Sequence, residues 1–288
     1  MKHSFFFALL LPVFFQCNAQ KDSNIYLIIR GDDIGSSHSS NIACIQSYKE
    51  GIMRSTEIMV PCPWFPEAVK LLKENPGLDV GIHLVLTSEW NNYKWRPLTH
   101  CPSLVDKDGY FYPMIWQRVD FPKGTALHDA SWKIEEIEKE LRAQIEMAKK
   151  YLPGASHADC HMGCTSCSSQ IDEVVKKLVK EYNVNINPQD YGVNYAGLWE
   201  KNDTTSDQRI KAAIEKLKQL KPGKYLFVEH PGLDTPEMRA IWHTGYFNVA
   251  ADRDAVTKVF TSREVMDIIK QRGIKLISYA DLKQFGPK

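Results

Sequence analysis

Two adjacent carboxylates, Asp32 and Asp33, follow an apolar, β-branched run that begins at Leu27. Such a run predicts a buried strand, and the C-terminal end of a strand is where an α/β sheet or barrel collects its chemistry. Two neighbouring negative charges repel each other unless a positive charge lies between them, and a divalent metal ion is a common solution. The alternative is that an aspartate caps a helix that begins in the serine-rich segment 36–40.

Histidines in two later apolar runs offer further ligands for such an ion. His83 lies within the run 81–86, and His157, Asp159 and His161 alternate along a third run. Alternating residues of an extended chain lie on one face, so these three side chains are expected to point the same way. Each histidine taken singly predicts a hydrogen-bonded core residue. Together with an aspartate, two histidines leave coordination positions open, which is typical of a catalytic rather than a structural metal.

The elements that position these residues alternate between strand and helix. Strands are predicted at 25–30, 57–61, 79–86, 156–161, 184–186, 225–230 and 275–279, and helices at 39–50, 64–74, 131–151, 169–181, 204–219 and 262–272. About seven strands, each paired with a helix, predict one α/β domain with a (β/α)-barrel-like fold. The sequence has no P-loop, and no Gly-x-Gly-x-x-Gly follows the first strand, so nucleotide binding is not predicted.

Composition and charge exclude some classes of partner. The 288 residues include 36 lysines and arginines and 35 aspartates and glutamates, for a net charge of +1. A balanced charge indicates neither a nucleic acid nor an acidic membrane surface as a partner. The 43% hydrophobic content is ordinary for a globular enzyme.

Residues 1–19 have the pattern of a signal peptide. A charged start at residues 1–3 precedes an apolar stretch of about twelve residues, which is too short to span a bilayer. We expect cleavage after Ala19, a mature domain over residues 20–288, and export to the periplasm or the cell exterior. The alternative is a lipoprotein anchored through Cys17. The rest of the sequence contains no apolar run of membrane-spanning length.

Six cysteines remain once Cys17 is removed, and they are Cys44, Cys62, Cys101, Cys160, Cys164 and Cys167. An even number in an oxidising compartment permits disulfides, although the sequence does not give their pairing. The cluster at 160–167 favours one loop disulfide or buried thiols. A structural zinc site is the alternative, but no fourth ligand follows at a finger-like spacing.

With these residues placed, the chain resembles the YdjC/ChbG-like carbohydrate deacetylases. Residues 32–35 are similar to the family's opening Asp-Asp-aromatic-Gly motif, with Ile34 in place of the aromatic residue. Segment 51–56, the Gly-x-His-x-x-Leu-Thr motif at 81–87, the His-x-Asp-x-His motif at 157–161 and the strand ending in His-Pro at 230–231 follow in the family's order. After residue 161 the chain departs from the family, which commonly continues with further histidines.

The resemblance implies that Asp33, His83 and His161 bind one divalent metal ion, with Mg or Zn as the expected ion. It also implies that Asp32 is the general base and His230 the general acid. General chemistry agrees with these roles, because a metal activates water and polarises an acyl carbonyl while a protonated histidine can supply a proton to a leaving amine.

Asp159 is expected to orient a ligand histidine, and His157 either to do the same or to contact substrate. Segment 87–124 has no clean periodicity and carries seven aromatic residues between Trp90 and Trp116. Loops of this length inside a domain are usually functional or disordered, and the aromatic content argues against disorder. Trp90 and Trp95 are therefore candidates for stacking on a sugar ring, and packing of the loop onto the barrel is the alternative.

The expected activity is metal-dependent removal of acetyl groups, N-acetyl before O-acetyl, from a carbohydrate or oligosaccharide. The alternatives are another metal-dependent hydrolase, such as a phosphoesterase, and an inactive carbohydrate-binding protein. The sequence indicates neither the sugar nor the oligomeric state.

Overall fold

The computed structural model describes residues 23–287. The predicted signal peptide over residues 1–19, together with Cys17, lies outside this range, so its cleavage, a lipid anchor and export all stay predictions. Within residues 23–287, no helix is both long and apolar enough to cross a membrane.

Within residues 23–287, seven strands form one sheet in which every pairing is parallel. They are Ile25–Ile34 (β1), Ser55–Met59 (β2), Asp79–Leu84 (β3), His157–Cys160 (β4), Val193–Tyr195 (β5), Gly223–Glu229 (β6) and Lys275–Leu276 (β7). The strand order is β4-β3-β2-β1-β6-β5, and β7 pairs with β1. Parallel neighbours require crossover connections, which explains why helices separate most of the strands.

The first strand, β1, is the centre of the sheet. It pairs with β6 along residues 25–31, with β7 at Tyr26 and Leu27, and with β2 from Arg30 onward. Every residue of β1 except Tyr26 is buried. A strand covered on both faces has a nearly continuous apolar sequence, which accounts for the β-branched run that precedes the two aspartates.

The helices are His38–Lys49 (α1), Phe65–Glu74 (α2), Ile134–Tyr151 (α3), Ser169–Glu181 (α4), Ser206–Gln219 (α5), Pro236–Arg239 (α6), Val249–Phe260 (α7) and Arg263–Gln271 (α8). The six predicted helices are confirmed to within three residues at each end. The sequence analysis did not predict α6 or α7. Helix α7 buries Arg253 among apolar residues, and this charged residue interrupts the apolar stripe by which a helix is identified from sequence.

The strand predicted at 184–186 is wrong. In the structure Asn185 forms only an isolated bridge with His157, and the strand that joins the sheet is β5. Pro188 lacks a backbone N–H and begins a short 3-10 turn, Pro188–Tyr191, so the extended run cannot continue. Gly192 then reverses the chain in a left-handed conformation, with φ of 66°, and β5 follows.

The sheet curves as an open barrel whose two end strands are β4 and β5. Among the described residues these two strands are not paired with each other. The predicted α/β, (β/α)-barrel-like fold with seven strands is confirmed. Because all the strands are parallel, their C-terminal ends meet at one edge, where residues 32–33, 83, 161 and 230 lie at or just beyond strand ends.

The cysteine cluster contains one disulfide, between Cys160 and Cys164. Cys44, Cys62, Cys101 and Cys167 are free and buried. The loop-disulfide interpretation of the cluster is thus confirmed. This crosslink joins the last residue of β4 to a 3-10 segment, His161–Cys167, in which Met162 and Gly163 adopt left-handed conformations.

Loss of this crosslink should destabilise the protein. A crosslink that closes a five-residue loop lowers unfolded-chain entropy by an amount worth about 2 kcal/mol. We therefore expect the paired change Cys160→Ser and Cys164→Ser to reduce the unfolding free energy by about 2 kcal/mol in denaturant titration. A reductant should lower the stability of the wild type similarly and leave the double variant unchanged. Equal stability of the oxidised wild type and the variant would contradict the crosslink.

Candidate metal centre and active site

The two aspartates at the end of β1 do not cap the following helix. Ser37 is the N-cap of α1, and its side chain accepts a hydrogen bond from the backbone N–H of Ser40. Asp33 instead has φ of 69°, a left-handed conformation that is uncommon outside glycine and clusters at functional sites. Both aspartates are buried, and both face His83, whose Nε2 lies 4.0 Å from Asp32 Oδ2 and 3.6 Å from Asp33 Oδ1.

Asp33, His83 and His161 converge on one point, although they come from three different strand ends. One ligand atom from each lies within 4.8 Å of the others, and all three side chains are buried. Asp33 Oδ1 lies 3.6 Å from His83 Nε2 and 3.5 Å from His161 Nδ1. This oxygen is buried and accepts no hydrogen bond from any described residue, which is costly for a carboxylate unless a cation is bound.

Two buried glutamates hold the outer nitrogens of these imidazoles. Glu57 Oε2 lies 2.6 Å from His83 Nδ1, and Glu89 Oε2 lies 3.0 Å from His161 Nε2. Each ring therefore turns its other nitrogen towards Asp33. A carboxylate behind a metal-binding histidine commonly fixes the tautomer and the ring orientation, so this arrangement fits a metal centre.

A second group, Asp32, Glu57 and His83, also brings its ligand atoms within 4.8 Å of one another. Arg30 occupies this group, since its guanidinium lies 2.8 Å from Asp32 Oδ1 and 3.0 Å from Glu57 Oε1. A guanidinium repels a metal ion, and it already neutralises these carboxylates. The group formed by Asp33, His83 and His161 is therefore the better cation site.

Arg253 of α7 binds the remaining oxygen of Asp33. Its Nη2 donates to Asp33 Oδ2 at 2.7 Å, and both side chains are buried. Burial alone would raise the pKa of Asp33, but Arg253 outweighs it, aided by His230 and His161, and the pKa lies well below its usual range. Asp33 is thus ionised, with Oδ2 fixed and Oδ1 free to accept a cation.

The centre buries more negative than positive charge. Four buried carboxylates face two buried guanidiniums, which leaves two negative charges unbalanced if the imidazoles are neutral; these groups are Asp32, Asp33, Glu57, Glu89, Arg30 and Arg253. Burial lowers the pKa of His161, but Glu89 and Asp33 outweigh it and raise the pKa to about 10, so in the absence of a metal His161 is protonated and supplies part of the missing positive charge. A divalent cation would balance the two charges, so the residues present fit a metal ion.

Arg30 holds Asp32 through two contacts. Its Nη2 donates to Asp32 Oδ2 at 2.9 Å, in addition to the contact through Nε. Burial raises the pKa of Asp32, and although Arg30 opposes this, the negative charge of Glu57 adds to it, so the pKa is above its usual value. Asp32 is thereby held in place and made a stronger base.

The structure corrects the expected contact of Asp159. Its Oδ2 accepts from Arg30 Nη1 at 2.9 Å, and it bonds no ligand histidine within the described part of the chain. The strand ends one residue before His161, and this histidine begins the following 3-10 segment, so the alternation that predicted a shared face stops there. Asp159 therefore acts on the centre through Arg30.

His157 is fully buried beneath the centre. Its ring stacks on Tyr279 with 3.8 Å between centroids, and its Nε2 lies 3.3 Å from Glu57 Oε1. A Cβ at Gly81 would lie 2.3 Å from this Nε2, which explains the glycine of the Gly-x-His motif in physical terms. Of the two roles considered for His157, this placement favours support of the centre through Glu57, which in turn orients His83.

His230 lies just after β6 and differs from the other candidates in being accessible. Its side chain is 42% exposed, whereas those of Asp32, Asp33, His83 and His161 are 5% exposed or less. Partial burial lowers the pKa of His230, but Asp33 and Glu229 outweigh it and raise the pKa above its usual value. His230 is therefore an accessible histidine that stays protonated to a higher pH than an unperturbed one.

Trp90 and Trp95 are buried, at 4% and 3% exposure. The Trp90 ring stacks on His243 with 5.3 Å between centroids, and Arg253 lies over it. The Trp95 indole N–H donates to the Thr87 carbonyl at 2.8 Å. These contacts correspond to packing of the long loop, and contact of either ring with substrate stays a prediction.

Four residues of the centre were missed by the sequence analysis, namely Arg30, Glu57, Glu89 and Arg253. Two of them had a detectable signal, because Arg30 lies within the apolar run of β1 and Glu57 is the single charged residue of β2, and a buried charge needs a partner. Glu89 lies in the segment without periodicity, and Arg253 lies on a helix that was not predicted. Neither has a local pattern that connects it to residues 32–33, so only the fold reveals these contacts.

Three comparisons place the chain among known proteins. The family model described as YdjC-like protein matches residues 26–271. A carbohydrate deacetylase from Listeria monocytogenes serotype 4a is 31% identical over 265 residues, covering 89% of this chain and 99% of that protein. One from Thermus thermophilus is 32% identical over 244 residues, covering 76% and 82% of the two chains.

A solved structure of a candidate cellobiose-phosphate cleavage protein from Enterococcus faecalis has the same fold. It superimposes with a TM-score of 0.69 at 23% sequence identity, covering 90% of this chain and 99% of that chain. The match of the family model to most of the chain agrees with the order of the sequence motifs. The chain therefore belongs to the YdjC-like family.

Proposed function

We propose that this protein is a metal-dependent carbohydrate deacetylase that releases acetate from an N-acetylated sugar. The observation that carries the proposal is the convergence of Asp33, His83 and His161 around a buried carboxylate oxygen that accepts no hydrogen bond. The similarity to carbohydrate deacetylases from Listeria and Thermus supports a carbohydrate as the substrate.

Asp33, His83 and His161 would hold the ion, and Glu57 and Glu89 would keep the two imidazoles in the required orientation. When bound, a divalent ion supplies Lewis-acid activation of the acetyl carbonyl and of a water molecule. One carboxylate and two imidazoles suit Zn and related transition metals at least as well as Mg.

Asp32 is the general base of the proposed reaction. Arg30 fixes both carboxylate oxygens of Asp32. The raised pKa of Asp32 makes this carboxylate a better proton acceptor than an exposed one. Because Asp32 Oδ2 faces His83 at 4.0 Å, its carboxylate lies beside the candidate ion, where it can take a proton from the attacking water.

His230 is the general acid. Cleavage of an amide requires a proton on the departing nitrogen, because an amide anion is a poor leaving group. The raised pKa of His230 keeps the imidazole protonated at higher pH than an unperturbed histidine, and its side chain is 42% exposed and so accessible to a substrate. The base thus lies on β1 and the acid directly after β6, and these two strands are neighbours in the sheet.

The phosphoesterase alternative has less support. Phosphate sites commonly recruit arginine, and two arginines do lie in the centre. Arg30 is paired with Asp32 and Glu57, however, and Arg253 with Asp33. Neither guanidinium is available to a phosphate without breaking a buried ion pair. An inactive carbohydrate-binding protein would have no need of the buried acidic centre.

A matched pair of variants tests the proposal by separating metal binding from catalysis. Asp33→Ala removes a charged ligand, so we expect metal content and acetate release from N-acetylated oligosaccharides to fall together. Asp32→Asn preserves the shape but removes the base, so we expect metal content near that of the wild type and a rate lowered by about 10²- to 10⁴-fold. Metal content is measured by mass spectrometry after zinc loading, alongside acetate release.

Two results would overturn the assignment. Turnover by Asp32→Asn at nearly the wild-type rate, with metal bound, would show that another residue is the base. Full metal content in Asp33→Ala would show that the ion lies elsewhere. Wild-type protein that binds metal but releases no acetate from acetylated sugars would favour the binding-protein alternative.

The pH profile tests the role of His230. An acid must be protonated to act, so the wild-type rate should fall as pH rises through the raised pKa of His230. We expect His230→Ala to retain metal, to lose about 10²- to 10⁴-fold in rate, and to lack this alkaline fall. His128→Ala, which changes an exposed histidine paired with Asp129, is the control and should keep the wild-type profile. An unchanged alkaline limb in His230→Ala would exclude it as the acid.

A further inference from the structure

His161 is a candidate metal ligand that lies outside the sheet. His83, by comparison, lies within β3, which is paired with β2 on one side and with β4 on the other. The pairing of β3 with β4 ends at Leu84 and Cys160, so His161 lies one residue beyond it. Strand β4 is also an end strand of the sheet. Something other than strand pairing must therefore hold the backbone of His161.

The backbone that follows His161 is strained and lightly packed. Met162 and Gly163 have φ of 53° and 66°, in the left-handed region that is unfavourable for a residue other than glycine. Met162 is 41% exposed, and its sulfur, a weak acceptor, takes a hydrogen bond from Thr87 Oγ1 at 3.4 Å. A Cβ added at Gly163 would have no neighbour within 4 Å. Packing therefore does little to keep this turn in place.

The disulfide closes this turn from both ends. Cys160 precedes His161 and Cys164 follows Gly163, so the crosslink encloses the candidate ligand and both left-handed residues. The two cysteines are buried in the hydrophobic core, at 5% and 0% exposure. The crosslink therefore fixes both ends of an exposed turn to the core, and with them the backbone that carries the His161 ring.

Glu89 holds the ring of His161 but not its backbone. Its Oε2 lies 3.0 Å from His161 Nε2, while His161 Nδ1 lies 3.5 Å from Asp33 Oδ1. An imidazole held at one nitrogen can pivot about that contact if its backbone moves. The disulfide and Glu89 thus act together, one on the backbone and the other on the ring, to keep Nδ1 towards Asp33.

We propose that the disulfide between Cys160 and Cys164 positions His161, so that the affinity of the centre for a metal ion depends on the oxidation state of this pair. The inference rests on the proposed metal-dependent function. Reduction by a dithiol breaks the S–S bond and forms two protein thiols; the reductant supplies two electrons and two protons and becomes a disulfide. The turn at Met162 can then relax and carry His161 away from Asp33.

Zinc affinity, measured by competition with a chromogenic chelator, tests this role. We expect the paired change Cys160→Ser and Cys164→Ser to raise the zinc Kd about tenfold, as loss of a group that orients a ligand does. Val265→Ala shortens a fully buried side chain on α8, so it lowers stability without changing an element of the centre and should keep the wild-type Kd. Cys167→Ser changes a free cysteine of the same 3-10 segment and should also keep it.

An unchanged Kd in the double variant would overturn the proposal. A rise of the same size in Val265→Ala or in Cys167→Ser would overturn it too, because the effect would then come from stability or from the segment rather than from the crosslink.

Amide hydrogen exchange of the metal-free wild type gives a second measurement that needs neither zinc nor a variant. At labelling times during which β3 stays unexchanged in both forms, reduction with dithiothreitol should speed exchange at residues 161–164. If the wild type binds no zinc, the proposed function fails, and this measurement then decides on the positioning role separately. It also decides if the double variant does not fold. Equal exchange of the segment in the oxidised and reduced protein would reject the role.

Discussion

Buried negative charge at one edge of the sheet is the constraint on which the rest of the centre depends. Four carboxylates are taken out of water there, and two guanidiniums balance only half of their charge. Arg30 neutralises the side near Asp32, and Arg253 fixes one oxygen of Asp33, so the unbalanced charge lies between Asp33 and the two histidines. Burial of charge without a partner is strongly unfavourable. Protonated imidazoles supply positive charge when no metal is bound, and a divalent cation would take over this role.

The fold brings this charge together from distant parts of the sequence. Parallel strands deliver Asp33, His83, His161 and His230 to one edge, and the left-handed turn at Asp33 points its carboxylate towards the histidines. Behind them, Glu57 links His83 to His157 and Arg30. The candidate ligands are thus held by a second layer of buried ion pairs, an arrangement that would preorganise the centre for a metal ion.

The sequence singled out the three candidate ligands, which the structure brings together, because each has a local signal. Asp33 and His83 end apolar strands, and His161 follows one, so the prediction needed only the rule that parallel strands share an edge. The groups that hold these ligands have no such signal. Arg253 reaches Asp33 from a helix 220 residues away. Asp159 was expected to contact a ligand histidine, whereas its partner is Arg30. The expectation extended the alternation of β4 to His161, but the strand ends at Cys160 and the backbone turns there.

Anomalous diffraction from crystals grown with zinc tests the central claim most directly, because it locates the ion without relying on activity. The structure predicts one strong peak between Asp33 Oδ1, His83 Nε2 and His161 Nδ1, with Arg253 still bound to Asp33 Oδ2. A peak bound instead by Asp32 and Glu57, or no peak within the centre, would contradict the account.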